Sequence, residues 1–197
     1  GPGSVNKILQ VGNGVTVTPG TGNVTNHGTL LFDNPGSIAV AGDISGSGGI
    51  TNLGAGTVTL GGSNTYAGNT AIPAGEIKLG SDYAFPSGSA LYLDDNGGGV
   101  SAGALDLNGH DASASSLQGA TTGIGTATFE PGQVLNNGTG TNTLVVGGGG
   151  TYTFSGQLLD NNNSGNGVLA LTVNNGTFLN LYPGYQSASV PVPNTFS

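Results

Sequence analysis

Four aspartates carry the side chains best suited to acid–base chemistry in this chain: Asp82, Asp94, Asp106 and Asp111. Glycosidases use two carboxylates on either side of the scissile bond, about 5–9.5 Å apart, and the sequence leaves such a pairing open. Lyases that act on uronic acids also need cations to neutralise the substrate carboxylate. The chain has two lysines and no arginine, which disfavours lyase chemistry but keeps a polysaccharide-degrading module as an alternative.

The two histidines, His27 and His110, are the candidate general bases, and neither lies in a motif with a Ser or Asp partner. Residues 42–46 read Gly-Asp-Ile-Ser-Gly, which resembles the G-D-S-G segment around a serine nucleophile, but Ile44 interrupts it. There is no cysteine, so thiolate chemistry and disulfides are excluded. The sequence therefore predicts no catalytic residue, and we expect a non-enzymatic protein.

Two further segments could suggest a bound ion. Asp94-Asp95-Asn96-Gly97 resembles the start of a calcium loop, but the alternate spacing and the closing Glu are missing. Gly147 to Gly150 could cradle a phosphate, but no G-K-[ST] motif and no helix follows. Both segments are predicted to be turns, and no metal or cofactor is expected.

The charge composition of the chain indicates which classes of partner it can bind. The net charge is −8 and only Lys7 and Lys78 are positive, whereas binding to phosphate backbones depends on several Lys and Arg side chains. We therefore expect no nucleic-acid partner. Residues 1–4 (Gly-Pro-Gly-Ser) are typical of the scar left by an expression tag, and the missing cysteines favour an exported protein.

The elements that position these side chains are predicted to be short β-strands. Glycine or proline interrupts nearly every ten-residue window and opposes helix formation. Short groups with period-two alternation recur between Gly, Asn, Asp or Ser. They include Val15–Val17, Leu30–Phe32, Ile38–Val40, Val58–Leu60, Ile77–Leu79, Leu91–Leu93, Leu105–Leu107, Leu144–Val146 and Leu169–Leu171.

The spacing of these groups favours a solenoid with about three strands per coil. Val58 and Ile77 are 19 residues apart, which is a plausible coil length and predicts roughly ten coils along the chain. The predicted fold is all-β, a right-handed single-stranded parallel β-helix. An antiparallel sandwich or barrel is the alternative, although sandwich strands usually run longer.

Residues 46–80 read GSGGITNLGAGTVTLGGSNTYAGNTAIPAGEIKLG. This stretch resembles the passenger-associated repeat of bacterial autotransporters, whose general form is G-x-G-T-L-T-L-x-G-x-N-T-Y-x-G-x-T-x-I-x-x-G-x-L-x-L-G. Residues 153–181 resemble an incomplete second copy without the N-T-Y-x-G part. We therefore expect a β-helical passenger segment over 5–181 and a proline-containing tail or linker over 182–197.

The resemblance implies a secreted or cell-surface location on the extracellular face of the outer membrane, and export by a C-terminal β-barrel translocator in the full-length chain. It implies a structural shaft or adhesin scaffold whose repeats support secretion and folding. Expected partners are glycans or proteins on host or neighbouring cells. Self-association is also open, because both ends of a cut solenoid expose unpaired strands.

The remaining candidate surfaces are aromatic and threonine-rich. Six tyrosines could form a ligand-binding strip if several faced outward, but we favour core or turn positions for most of them: Tyr66, Tyr83, Tyr92, Tyr152, Tyr182 and Tyr185. Four Thr-x-Thr pairs could form an ice-binding ladder, but their irregular spacing predicts a broken one: Thr16/Thr18, Thr57/Thr59, Thr126/Thr128 and Thr151/Thr153. No ligand-binding residue is therefore assigned.

Within the 46–80 repeat, strand parity predicts which side chains point inward. Alternation within each predicted strand places five apolar residues on the inward face: Val58, Leu60, Ile72, Ile77 and Leu79. Asn64, Gly68 and Gly75 lie where turns are needed, because Asn and Gly tolerate unusual backbone angles. Stacked Asn and Thr side chains are expected to hydrogen-bond their equivalents on adjacent coils.

Overall fold

The protein is a parallel β-solenoid. The computed structural model describes residues 7–15, 17, 19–93, 103–119, 132–161 and 165–181. Every pair of strands in these ranges is parallel, and the described residues contain no helix. The expectation of an all-β parallel solenoid is thus confirmed. The tag scar at 1–4 and the tail at 182–197 lie outside the described residues.

The strands lie on three faces of the solenoid, and some coils contribute a strand to only two of them. The first face is a six-stranded sheet, and the bridge between Gly119 and Phe154 continues it into a two-stranded one. Its strands are β1 (Ile8–Val11), β3 (Thr29–Phe32), β6 (Gly49–Asn52), β8 (Thr70–Ala71), β10 (Ala90–Tyr92), β13 (Ser116–Gln118), β16 (Gly150–Phe154) and β19 (Thr177–Leu181).

The second face is one six-stranded sheet made of β4 (Ile38–Val40), β7 (Thr57–Leu60), β9 (Glu76–Leu79), β11 (Ala104–Asp106), β14 (Gln133–Leu135) and β17 (Gln157–Leu159). The third face has two short sheets, formed by β2 (Val24–Thr25) with β5 (Ile44–Ser45), and by β12 (Ala112–Ala114), β15 (Thr141–Val146) and β18 (Val168–Val173). Chain order thus runs around the three faces and advances one coil at a time.

The coils differ in length along the solenoid. Val58 pairs with Ile77, so the predicted coil of 19 residues is confirmed there. Further along, Ile77 pairs with Leu105 and Leu105 pairs with Val134, so these coils are longer by several residues. The described part of the solenoid has about 6 turns, and the prediction of roughly ten coils was wrong because the later connections between strands are longer.

Alternating burial along each strand builds the core. The predicted inward side chains Val58, Leu60, Ile72, Ile77 and Leu79 are all buried, with at most 1% of each exposed. In-register pairing stacks them in columns, such as Val40 on Leu60 on Leu79. Each coil therefore buries its apolar side chains against the coils above and below it, as the alternation predicts.

Close approach between coils explains two glycines of the repeat. A Cβ on Gly68 would lie 2.5 Å from the carbonyl carbon of Gly48, and Gly75 has a φ of +62°. Neither position accepts another residue without strain. The turn positions predicted from the sequence are therefore required by the backbone.

Buried asparagine side chains join successive coils by hydrogen bonds to backbone groups. Asn64 accepts a bond from the Ile44 amide at 2.7 Å and donates to the Ala84 carbonyl at 2.7 Å. Asn52, with no exposed surface, donates to three carbonyls at 3.2 Å each, while its Oδ1 has no hydrogen-bond partner. The expectation that such side chains bond their equivalents was wrong for these two. Asparagine instead satisfies turn amides and carbonyls that would otherwise be buried without partners.

Candidate functional site

The outward face of the second sheet carries a row of polar side chains that crosses several coils. Strand register aligns Thr57, Glu76, Ala104, Gln133 and Gln157. The Thr57 hydroxyl donates to Oε2 of Glu76 at 2.9 Å, and Nε2 of Gln133 donates to Oε1 of Gln157 at 2.8 Å. We call this row the outer ladder. These two pairs bond across neighbouring coils, as cross-strand pairs in a sheet do, and Ala104 separates them.

Glu76 is the titratable member of the outer ladder. Burial raises its pKa above the ordinary value, and the nearby charge of Asp106 adds to the rise. The hydrogen bond from Thr57 and the charge of Lys78 act in the opposite direction. A raised pKa in the fold means that ionising Glu76 disfavours the folded state, so this contribution to stability is lost as pH rises.

Lys78 and Asp106 lie side by side in the next row of the same face. Nζ of Lys78 is 3.4 Å from Oδ2 of Asp106, and the carboxylate has no exposed surface. The amides of Asn108 and Asn137 both donate to Oδ1 at 2.9 Å. Oδ2 makes no hydrogen bond. Asp106 thus has one oxygen held by backbone amides and the other facing the lysine.

Asp82 and His110 form a second side-chain contact between the same two coils. Nδ1 of His110 is 2.9 Å from Oδ1 of Asp82, and both side chains are accessible. His27 in turn lies 3.1 Å from the Ser47 hydroxyl. Each histidine thus has one Ser or Asp partner on a neighbouring coil, which no sequence motif indicated. The two partners belong to different histidines, so these contacts do not assemble a Ser-His-Asp triad.

The other candidate residues have structural contacts. Oδ1 of Asp111 accepts a bond from the Thr143 amide at 2.8 Å. In the segment 42–46, Oδ1 of Asp43 accepts a bond from the Ser63 amide at 2.7 Å. Asp94 and the whole segment Asp94–Gly97 lie outside the described residues. Among the aspartates proposed as a glycosidase pair, the three described ones thus have partners within the solenoid.

The glycine run at 147–150 is a turn, as predicted. Its four amides donate to the carbonyls of Ala114, Ser115 and Gly176 and to the Thr177 hydroxyl. None of these amides is therefore available to hold a phosphate. Within the described ranges, no group of three His, Asp or Glu side chains is arranged to bind a metal ion. The same part of the chain holds no helix long and apolar enough to cross a membrane.

The tyrosines occupy different environments. Tyr66 is buried, its hydroxyl lies 2.7 Å from that of Thr70, and burial raises its pKa. Tyr152 is half-buried and donates to the Gly149 carbonyl. Tyr92 is half-buried between Ala71 and Gln118, and Tyr83 is 71% exposed. Tyr182 and Tyr185 lie outside the described residues.

The threonine pairs form no continuous ladder where the structure describes them. Thr57 and Thr59 align with Glu76 and Lys78 on the next coil. Thr151 and Thr153 align with Phe178 and Asn180. Thr16, Thr18, Thr126 and Thr128 lie outside the described residues. The prediction of a broken ladder is confirmed for the two described pairs.

Sequence reasoning missed Glu76 and Lys78 as members of a polar surface. The signal was present, because alternation in Glu76-Ile77-Lys78-Leu79 turns both charges outward when the aliphatic residues point inward. The pairing of Lys78 with Asp106 could not be found in this way. It requires the register of a coil of 28 residues, whereas the repeat itself suggests 19.

Comparison with known proteins gives two relatives. The chain is 35% identical over 155 residues, 73% of its length, to a protein named adhesin BmaC autotransporter from Brucella suis biovar 1 (strain 1330), and this covers 4% of that adhesin. It is 38% identical over 91 residues, 46% of its length, to the uncharacterized lipoprotein YdeK of Escherichia coli (strain K12), covering 7% of that protein. No family model matches the chain, and no solved structure matches it significantly.

Proposed function

We propose that this chain, a β-solenoid fragment of the autotransporter passenger type, acts as a non-enzymatic structural shaft and adhesin scaffold at the bacterial surface. One observation carries the proposal. The side chains that could do chemistry are used to join neighbouring coils, as in Lys78 with Asp106 and Asp82 with His110. Such contacts fix the stacking of a solenoid, in which each coil is stabilised mainly by its neighbours.

The similarity to an autotransporter adhesin and to a lipoprotein supports a cell-surface or secreted location. We place the chain on the extracellular face of the outer membrane, attached in the full-length protein to a C-terminal translocator. Its partners would then be glycans or proteins on host or neighbouring cells, or a second copy of the chain. Within this shaft, the repeat at 46–80 would set a stable folding register that supports secretion.

Measuring the amount of protein displayed on the cell surface distinguishes a structural shaft from a binding site. In bacteria that display the full-length protein, antibody binding to intact cells measures the displayed amount, and adhesion is then expressed per displayed molecule. Leu60→Ala is expected to lower display because it removes a buried side chain. Asn69→Ala, at an exposed position, is the matched control and should leave display unchanged.

The same assay tests the absence of a reactive site. Asp82→Asn and His110→Gln change the accessible contact between these two side chains, and adhesion per displayed molecule should stay the same in both. Normal display combined with lost adhesion in either variant would contradict the shaft and place function in that contact.

A polysaccharide-binding or polysaccharide-degrading module is the second candidate, and one observation favours it. Tyr83, with 71% of its surface exposed, directly follows Asp82, so an aromatic ring and a carboxylate are presented together. A ring of this kind can pack on the apolar face of a sugar while polar groups bind its hydroxyls. Binding to a glycan array, or turnover of a polysaccharide, that Tyr83→Ala abolishes and Asn69→Ala preserves would establish this function instead.

A further inference from the structure

The contact between Lys78 and Asp106 has features that a simple surface ion pair does not need. An exposed pair keeps both partners in water and contributes little to stability. Here the carboxylate has no exposed surface, whereas the side chain of Lys78 is 33% exposed. Oδ2 has no hydrogen bond to compensate for its burial. A buried carboxylate oxygen without a hydrogen bond is costly, so its persistence calls for a physical reason.

We propose that Lys78 and Asp106 are the site of an intramolecular amide bond, formed between Nζ and Cγ, that joins the coil of β9 covalently to the coil of β11. The bond is independent of the proposed function, because a shaft can exist with or without it. The reactants are one amine and one carboxyl group, and both belong to the chain.

The geometry around Cγ favours attack by the amine. Nζ lies 3.4 Å from Oδ2, and Oδ2 is bonded to Cγ, so the amine is held beside the carbon that it would attack. Holding two reactive groups in this way gives effective molarities of about 10⁵–10⁸ M in well-oriented reactions. Burial of Asp106 excludes water from the carboxyl group, which also protects an amide formed there against hydrolysis.

The two carboxylate oxygens of Asp106 differ in their hydrogen bonding. The amides of Asn108 and Asn137 bind Oδ1, and in the addition step this oxygen takes up the negative charge. Two amides aimed at such an oxygen act as an oxyanion hole. Oδ2 has no hydrogen bond to lose when it departs.

Glu76 lies on the same outward face of β9 as Lys78, two residues away, and its strand partner Ala104 is two residues from Asp106. Diagonal neighbours of this kind are within reach of long side chains. Burial raises the pKa of Glu76, so its carboxyl group holds a proton more readily than an exposed glutamate. It can therefore relay a proton between the amine and the departing oxygen.

The step balances without any external reagent. Starting from the ion pair, a proton passes from Nζ to Oδ2 and gives a neutral amine and a carboxylic acid. The Nζ lone pair forms the bond to Cγ, and the carbonyl electron pair moves to Oδ1. A second proton moves from Nζ to the Oδ2 hydroxyl through Glu76, the Cγ–Oδ2 bond breaks, and water leaves. Glu76 is unchanged at the end.

The intact mass of the full chain tests the proposal directly. After folding, the mass is expected to be lower by one water molecule, and a chain kept in denaturant should retain its full mass. Peptide mapping should recover Lys78 and Asp106 in one branched peptide. Pepsin suits this mapping because the chain has two lysines and no arginine for a protease that needs basic residues.

Four variants make the result specific. Lys78→Arg keeps a positive charge beside Asp106 but replaces the amine with a poor nucleophile, so it should keep its full mass. Asp106→Asn should form the same amide with loss of ammonia instead of water, and Glu76→Gln should slow the reaction. Lys7→Arg changes the other lysine and should behave as the unchanged chain does.

Two outcomes would overturn the proposal. One is a folded, unchanged chain with its full mass and no branched peptide, which would leave a plain ion pair. The other is the same loss of water in Lys78→Arg, which would mean that dehydration occurs elsewhere. The first measurement needs no variant, so a variant that fails to fold does not weaken the test.

Discussion

Leu60 lies in a column of buried aliphatic side chains, stacked between Val40 on one coil and Leu79 on the next. Its side chain has no exposed surface, and the exposures of Val40 and Leu79 are 4% and 0%. Backbone bonds of 2.9 Å (Gly61 amide to Val40 carbonyl) and 2.8 Å (Gly80 amide to Leu60 carbonyl) hold the three coils at this point. The surroundings of Leu60 therefore cannot collapse easily into a cavity.

This geometry sets the size of the effect of Leu60→Ala. Truncating a buried leucine to alanine costs about 2–5 kcal/mol, and the cost increases when the cavity stays open. We expect the upper part of that range, about 3–5 kcal/mol, because both neighbouring coils are fixed. A loss of 1 kcal/mol lowers the Tm of a chain of this length by about 2–4 °C. The expected fall in Tm is therefore roughly 6–20 °C.

Asn69→Ala is the matched control within the same repeat. The Asn69 side chain is exposed, and its carbonyl, which accepts a bond from the Ile50 amide at 2.9 Å, remains in the variant. Substitutions at such sites usually change stability by less than about 0.5 kcal/mol. Thermal unfolding followed by far-UV circular dichroism compares the two variants. If both melted at the same temperature, the inward assignment of Leu60 would be refuted.

Two further predictions concern the turns of the repeat. Asn52→Asp places a carboxylate oxygen where the amide nitrogen now donates to three carbonyls at 3.2 Å. Burial is expected to raise the pKa of the new carboxyl group in the folded state. The destabilisation should therefore grow as pH rises above about 4, where an unfolded aspartate ionises. Urea unfolding at pH 3.5 and at pH 7 measures this, and an equal loss at both pH values would contradict it. Gly75→Ala should cost at least about 1–2 kcal/mol, because its φ is +62° and a Cβ would lie 2.4 Å from the carbonyl oxygens of Gly54 and Gly56. Gly88→Ala, where a Cβ meets nothing within 4 Å, is its control, and a similar fall in Tm for both variants would refute the requirement for glycine at position 75.

Much of the fold could be predicted because a short strand with one buried face has a readable period. The alternation in Thr57–Leu60 and in Glu76–Leu79 predicts which residues enter the core, and their spacing predicts the coil between them. The number of coils could not be predicted in this way. Coil length after β9 depends on connections rich in glycine and polar residues, and their length has no periodic signal.

Polar residues in the core were harder to foresee than apolar ones. Asn52 and Thr70 are fully buried at inward positions, where hydropathy alone predicts aliphatic side chains. Asn52 is explained by the turn carbonyls that it bonds, and Thr70 by the hydroxyls of Tyr66 and Ser89 at 2.7 and 2.8 Å. Both explanations need partners from other positions in the coils, which a single strand does not contain.

The charged contacts of the solenoid are concentrated where coil length changes. Between β7 and β9 the register advances by 19 residues, and between β9 and β11 it advances by 28. Two side-chain contacts that the structure describes, Lys78 with Asp106 and Asp82 with His110, both cross this second interface. Asn108 adds a bond of 2.8 Å to the Leu79 carbonyl there.

A physical reason follows from the way register is set. Columns of buried aliphatic side chains stabilise the stacking of coils but do not select one strand register, because the hydrophobic effect is not directional. Where consecutive coils have the same length, the repeated turns fix the register as well. Where a longer coil follows a shorter one, that repetition is lost, and paired charges of opposite sign can specify the alignment instead. We therefore infer that the two pairs Lys78 with Asp106 and Asp82 with His110 lie where the apolar repeat ceases to define the stacking.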